Sequence, residues 1–300
     1  MKQLFISSFL FVLMSMVGEK AYAYDIAVAN ADGVTIYYNY INGGKDLEVT
    51  HLLLSNSYRG NVVIPEEVTY KNITRNVTGI GNWAFYLCYS LTSVTIPNSV
   101  TSIGTEAFNG CRSLTSVTIP DSVTSIGRQA FFGCSGLTSV TIGNSVTSIE
   151  QGAFGGCHGL ASITIPSSVT YIGSGAFNSY NISIVISLIE NLFAITGNVS
   201  EYGTFYQDTF NNATLYVPVG TKDMYKTTEG WKDFANFEEG YPDPAGINVV
   251  ENTKNSNTTI YDLNGVRLPE LKRSATTGDA CSVGLKKGLY IVNGKKVIVK

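Results

Sequence analysis

Cysteine recurs at residues 88, 111, 134 and 157, and the same 23-residue step carries Leu, Val, Ile, Ala and Phe into register. Residues 88–110 read CYSLTSVTIPNSVTSIGTEAFNG. They are followed by CRSLTSVTIPDSVTSIGRQAFFG, CSGLTSVTIGNSVTSIEQGAFGG and CHGLASITIPSSVTYIGSGAFNS, the last ending at Ser179. A unit this short cannot bury an apolar face alone, so equivalent units must stack on one another. The chain is therefore expected to be a solenoid, which offers an extended surface.

Within a unit the apolar period is 2 through Leu91, Val94 and Ile96, the pattern of a short strand with one face buried. The period lengthens after Pro97 through Val100, Ile103, Ala107 and Phe108, so each coil is read as a parallel strand followed by a return segment. In-register stacking repeats every ~4.8 Å and sets Leu over Leu, Phe over Phe and Cys over Cys. A period between 20 and 29 residues with this register marks an α/β-type repeat solenoid: a leucine-rich-repeat right-handed coil with a parallel β-sheet on its concave face.

Weaker copies extend the array. Val62-Val63-Ile64-Pro65 matches the V-T-I-P strand with an insertion around Tyr70 to Val77, and Ile184–Ser187 and Leu215–Pro218 read as two further strands. The solenoid is thus expected over 62–219, in about seven coils. Terminal coils have to close an apolar edge and are atypical for that reason. Residues 24–61, with Ala31-Asp32-Gly33 between apolar stretches, are read as a capping β-hairpin, and 220–240, with Met224, Tyr225, Trp231 and Phe234, as a helical cap. Within the array Glu150 replaces Gly104, Gly127 and Gly173, which makes glycine there a preference rather than a demand for positive φ.

The ends bear on location. Lys2, the apolar run Leu4 to Val17 and Ala21-Tyr22-Ala23 have the charged start, short core and A-x-A site of a secretory signal over 1–23, with cleavage near Ala23. The run is too short for a bilayer span, which takes ~20 residues. Of 20 basic and 23 acidic residues, the leader would remove Lys2, Lys20 and Glu19, leaving a net charge of about −4. Neither nucleic acid nor transmembrane insertion is expected. A Pro- and Asn-rich linker, 241–258, precedes a small antiparallel β module over 259–300. Two Asn-Gly turns signal that module, at Asn264-Gly265 and Asn293-Gly294.

The repeat L-T-S-V-T-I-P-x-S-V-T-x-I-G-x-x-A-F-x-G-C resembles that of BspA-like leucine-rich-repeat proteins over 62–179, with weaker matches to about 237. The tail, IYDLNGVRL to LKKGLYIVNGKKVIVK, resembles the C-terminal sorting domains by which Bacteroidetes export proteins through type IX secretion. These resemblances imply a secreted or outer cell-surface adhesion protein that binds host or bacterial surface proteins.

The cysteine column admits three readings. A buried thiol behaves as a small apolar residue. Disulfides between coils suit a secreted protein, but stacked Cβ vectors point alike rather than at one another. A metal site lacks tetrahedral closure in a linear stack. Cys88, Cys111, Cys134 and Cys157 are therefore expected in the core, with Cys281 alone off the ladder. Catalysis finds little footing. Only His51 and His158 are present, and consecutive Cys157 and His158 leave the coil in different directions. No phosphate loop, serine elbow or H-E-x-x-H occurs, so neither an enzyme nor a cofactor is expected.

If Val94 and Ile96 point inward, alternation sends Ser93 and Thr95 outward, together with Ser116 and Thr118, Ser139 and Thr141, Ser162 and Thr164. Such hydroxyl columns serve either strand propensity or recognition. Anchors for tight binding are usually aromatic or Arg, and they are expected in the terminal regions, where Tyr37, Tyr38, Tyr40, Tyr58, Tyr202 and Tyr206 cluster. Extracellular or cell-surface proteins are the expected partners. A glycan-binding surface protein is the alternative, and an ice-binding lattice would demand a flat face.

Overall fold

The computed structural model describes residues 24–52, 57–197 and 203–240, with the tail strands 260–261, 288–292 and 295–299. The proposed signal, the linker, Tyr202 and Cys281 lie outside the described residues.

The chain opens with β1 (Ile26–Ala29), β2 (Thr35–Ile41) and β3 (Asp46–Thr50). These three form an antiparallel meander, in which Ile26 sits opposite Tyr38 and Tyr38 opposite Val49. The cap is thus a hairpin extended by a third strand, because Leu47 and Val49 alternate inward as Ile36 and Tyr38 do. The coils then begin with β4 (Gly60–Val63), and the insertion folds as a hairpin of β5 (Glu67–Tyr70) and β6 (Ile73–Ile80).

Each regular coil contributes two strands rather than one. The first set is β7 (Leu91–Thr95), β9 (Ser116–Thr118), β11 (Ser139–Thr141) and β13 (Ser162–Ile165). Alternating with them are two-residue strands β8 (Ser102–Ile103), β10 (Ser125–Ile126), β12 (Ser148–Ile149) and β14 (Tyr171–Ile172). The short strands continue the cap in one sheet, ordered β1-β2-β3-β6-β8-β10-β12-β14 and parallel from β3 onward. The return segment expected from the lengthened period is this second sheet. Its S-I dipeptide buries only Ile103, Ile126, Ile149 or Ile172 per coil, too few residues to display a period of 2.

The other sheet is interrupted. It falls into β4–β7, β9–β11 and a group of four formed by β13, β15 (Ile184–Ser187), β16 (Thr214–Val217) and β17 (Asn236–Glu239), all parallel. Val62 lies opposite Val94, as the weak V-V-I-P match requires. The C-terminal cap carries α1 (Gln207–Asn212), α2 (Lys222–Thr227), a 3-10 turn at Trp231–Asp233 and then β17, so it ends in a strand that continues the sheet beyond the expected helix. In the tail, β18 (Ile260–Tyr261) pairs antiparallel with β19 (Gly288–Val292), and β19 with β20 (Lys295–Val299), Val292 opposite Lys295; the two expected Asn-Gly turns lie outside the described residues.

A third backbone ladder closes each coil along the A-F-x-G-C segment. Here the N–H groups of Phe85, Phe108, Phe131 and Phe154 donate forward to Ala107, Ala130, Ala153 and Ala176 at 2.6–2.7 Å. Behind it the phenylalanines stack, with centroid separations of 4.7, 4.8, 5.2 and 5.7 Å and interplanar angles of 6° or less. Tyr58 starts the column at 4.5 Å from Phe85, and Phe205 ends it at 5.4 Å from Phe177. Beyond Phe205 the stacking turns edge-on to Phe210 and Phe234 at 83° and 74°, which terminates the repeat. The cap is pinned from within by the buried Tyr225, whose hydroxyl donates to the Ile189 carbonyl at 2.8 Å. Trp231 Nε1 donates to the Phe193 carbonyl at 2.9 Å.

Candidate binding surface

The hydroxyl face is built on β7, β9 and β11. Val94, Val117 and Ile142 face the core, so alternation turns Thr95, Ser116 and Thr118 out to solvent and Ser139 alongside them. Ser93, Thr141 and Thr164 are half-buried and Ser162 is exposed. Across these strands runs a shallow groove with a volume of about 420 Å³, lined by Ser93, Thr95, Ser116, Thr118, Asp121 and Thr141 among others. It lies where the sheet is interrupted: the ladder between β7 and β9 reduces to the Thr115 N–H donating to the Thr92 carbonyl at 3.4 Å.

Two populations of hydroxyl separate here. Thr101, Thr124, Thr147 and Thr170, at the approach to the short strands, each donate to a carbonyl one coil back, at 3.1, 3.4, 3.1 and 3.2 Å. Their role is to join coils. Ser93 is engaged by Asn61. The hydroxyls of Thr95, Ser116, Thr118 and Thr141 make no such side-chain bond among the described residues and line the groove, while Ser139 is exposed outside its lining. They are available to a ligand. Sequence alternation treats both populations alike, because register alone does not tell which carbonyl lies within reach.

The groove carries a single carboxylate, Asp121, whose Oδ1 accepts from the Asn144 N–H at 2.6 Å. Among the described residues no group of three His, Cys, Asp or Glu side chains could hold a metal ion. His158 stacks on Tyr180 with centroids 3.8 Å apart, and its Nδ1 lies 3.4 Å from the Ser179 hydroxyl. That hydroxyl is buried and donates to the Cys157 carbonyl at 2.9 Å, an arrangement that fastens coils together.

The cysteine column lies in the core. Cys88, Cys111, Cys134 and Cys157 are free and buried. The thiols of Cys111, Cys134 and Cys157 donate to the carbonyls of Phe85, Phe108 and Phe131, each at 3.1 Å. Burial pushes the Cys88 and Cys157 thiols up, away from the reactive thiolate. The column ends where Tyr180 takes the next position and turns its ring outward.

The tyrosines expected as anchors divide. Tyr38 is a correction: it is fully buried in the cap on the inward face that it shares with Ile36, with burial raising its phenol, and cannot meet a ligand at the surface. Tyr58 is likewise buried, donating to the Thr50 carbonyl at 2.7 Å. Tyr37 is half-buried between Tyr24 and Tyr58 at 4.8 and 6.1 Å. Tyr40 and Tyr206 remain exposed, Tyr40 under the Arg75 guanidinium at 4.8 Å. The alternation of T-I-Y-Y-N-Y-I already favoured an inward Tyr38, since Ile36 shares its face.

The model of the BspA type leucine rich repeat region matches residues 66–212 in six copies. The crystal structure of a leucine-rich-repeat protein from T. pallidum is similar in fold, with a TM-score of 0.52 at 24% identity over 70% of this chain and 98% of that one. A leucine rich cell surface protein from Faecalibacterium prausnitzii is 22% identical over 72% of this chain and 73% of its own, with a TM-score of 0.38. A leucine-rich-repeat protein from Bacteroides capillosus is 27% identical over 54% and 99%, with a TM-score of 0.35. No curated protein matches the chain. Residues 66–212 thus carry six copies of the BspA type leucine rich repeat, on a solenoid of stacked parallel strands.

Proposed function

We propose that this is a non-enzymatic, secreted or cell-surface leucine-rich-repeat protein that binds host or bacterial surface proteins through the solenoid, as an adhesion module. The observation that carries the reading is the open groove over β7, β9 and β11 with its unengaged hydroxyls. A broad, polar, shallow surface suits a macromolecular partner, since small-molecule sites are concave and mostly apolar. The shortage of titratable groups in the groove argues against catalysis. The leader-like sequence over 1–23 supports the location, as does the resemblance of the repeat to that of BspA-like surface proteins. The tail from 259 is proposed as a sorting module.

The test is a binding screen of the full chain against immobilised extracellular-matrix proteins and bacterial surface proteins, run beside a glycan array. Saturable binding to a protein supports the reading, whether or not the array also responds. Binding to glycans alone would reverse it.

A further inference from the structure

The first regular coil differs from the others on its outer turn. Trp83, Tyr86 and Tyr89 are 46%, 40% and 41% exposed, while Ala84, Phe85 and Cys88 between them point inward. Three aromatics at i, i+3 and i+6 therefore leave one side of one coil, on the A-F-x-G-C edge away from the hydroxyl face. Singly exposed aromatics are ordinary, but a row of three marks a site of contact.

The backbone here is set by the coil itself: Trp83 and its equivalents Glu106, Gln129, Gly152 and Gly175 all hold positive φ, as do Leu87 and its equivalents Gly110, Gly133 and Gly156. A further observation supports a built site. The next coil places a polar side chain beside each aromatic: Glu106 follows Trp83 by one repeat, Asn109 follows Tyr86 and Arg112 follows Tyr89. The register is secured by the Trp83 and Leu87 N–H groups donating to the Thr105 and Asn109 carbonyls at 3.0 and 2.8 Å. The Arg112 guanidinium sits 5.2 Å from the Tyr89 ring centre, and Asn109 Nδ2 donates to Glu106 Oε2 at 3.4 Å.

We propose that Trp83, Tyr86 and Tyr89, with Glu106, Asn109 and Arg112 beside them, form a binding strip for a neutral oligosaccharide. A pyranose ring has an apolar C–H face that packs on an aromatic face and a rim of hydroxyls that needs planar donors and acceptors. The strip offers both in adjacent rows, one coil apart, at the 4.7 Å spacing seen between Phe85 and Phe108. Carboxylate, carboxamide and guanidinium each engage two neighbouring hydroxyls. Its formal charge is zero, from one Glu and one Arg, and the whole stretch 81–189 adds only Asp121, Arg128 and Glu150. That balance favours an uncharged ligand over a polyanion or an acidic peptide.

Trp83 and Trp231 are the two tryptophans of the chain, and Trp231 is buried, so a ligand-induced change in tryptophan emission reports Trp83. The full chain is titrated with cellohexaose, mannohexaose, chitohexaose and laminarihexaose. Saturable emission change is expected for at least one. Tyr86→Ala with Tyr89→Ala should weaken it at least about tenfold, the loss of roughly 1.4 kcal/mol, without changing the thermal midpoint. Asn109→Ala with Arg112→Ala should weaken it similarly while leaving all three aromatics in place. Ser116→Arg with Thr118→Arg on the other face should leave it unchanged, which separates this strip from the proposed protein-binding groove. The proposal is overturned if none of the four sugars responds up to millimolar concentration, or if binding survives both strip variants. It is also overturned if the strip variants abolish capture of a protein partner while no sugar binds, which would assign the strip to protein.

Discussion

Phe131 shows what one residue does in a stacked fold. Its ring lies 4.8 Å from Phe108 and 5.2 Å from Phe154 and is fully buried, so its removal opens a cavity in three coils at once. Phe131→Ala should destabilise the solenoid by about 3–5 kcal/mol, measured by denaturant unfolding. Phe132→Ala, one residue on and exposed, should stay within about 0.5 kcal/mol. Backbone demands are equally local. Glu106 holds φ of 53° where Gly152 and Gly175 stand in later coils, so Glu106→Gly should stabilise by about 1 kcal/mol despite the added chain entropy. Gly127 has no positive φ, but an added Cβ would sit 2.6 Å from the Gly104 carbonyl carbon, in backbone that cannot yield. Gly127→Ala should therefore destabilise by about 2 kcal/mol. The substitution of Glu150 in that column had suggested a mild preference. The structure shows the preference to be close inter-coil approach. At the ladder, native protein should resist thiol reagents at Cys88, Cys111, Cys134 and Cys157, and denatured, unreduced protein should release all five thiols. Fewer than five would mean disulfides.

At the scale of the element, legibility follows from how many residues of an element repeat. The strand Leu91–Thr95 declared itself because Leu, Val and Ile alternate and recur every 23 residues. The strand Ser102–Ile103 did not, because two residues cannot alternate visibly and Val100 and Ile103 look like a turn. In the caps, local pattern gave Thr35–Ile41 as a strand but not that Asp46–Thr50 would pair beside it, nor that Asn236–Glu239 would follow the helical turn. Those pairings are set by the open ends of the sheets, which exist only once the coils are stacked. The same limit applies to the site. Alternation placed Thr118 and Ser116 outside, whereas the role of Thr124, donating to Thr101, depends on a carbonyl in another coil. The aromatic row went unread for a different reason: Trp83, Tyr86 and Tyr89 occupy turn positions that the next unit fills with Glu106, Asn109 and Arg112 and the one after with Gln129, Phe132 and Ser135, so the repeat averages them away.

For the whole molecule, stability should be a sum over coils and their interfaces. Removing residues 111–133, one complete period, rejoins equivalent backbone at Gly110 and Cys134. The product should fold cooperatively with the same far-ultraviolet circular dichroism per residue and a shorter solution envelope. Removing 12 residues from the same coil should unfold the chain around the break, because every column would then change register. The broader claim is that this solenoid presents the groove over β7, β9 and β11 to a protein partner. The most direct measurement is the affinity of full-length wild type and of Ser116→Arg with Thr118→Arg for a protein identified in the binding screen, with both thermal midpoints recorded. A loss of at least about tenfold with an unchanged midpoint is expected, since two long cations would stand in the centre of the contact. Equal affinities in two equally stable proteins would contradict it.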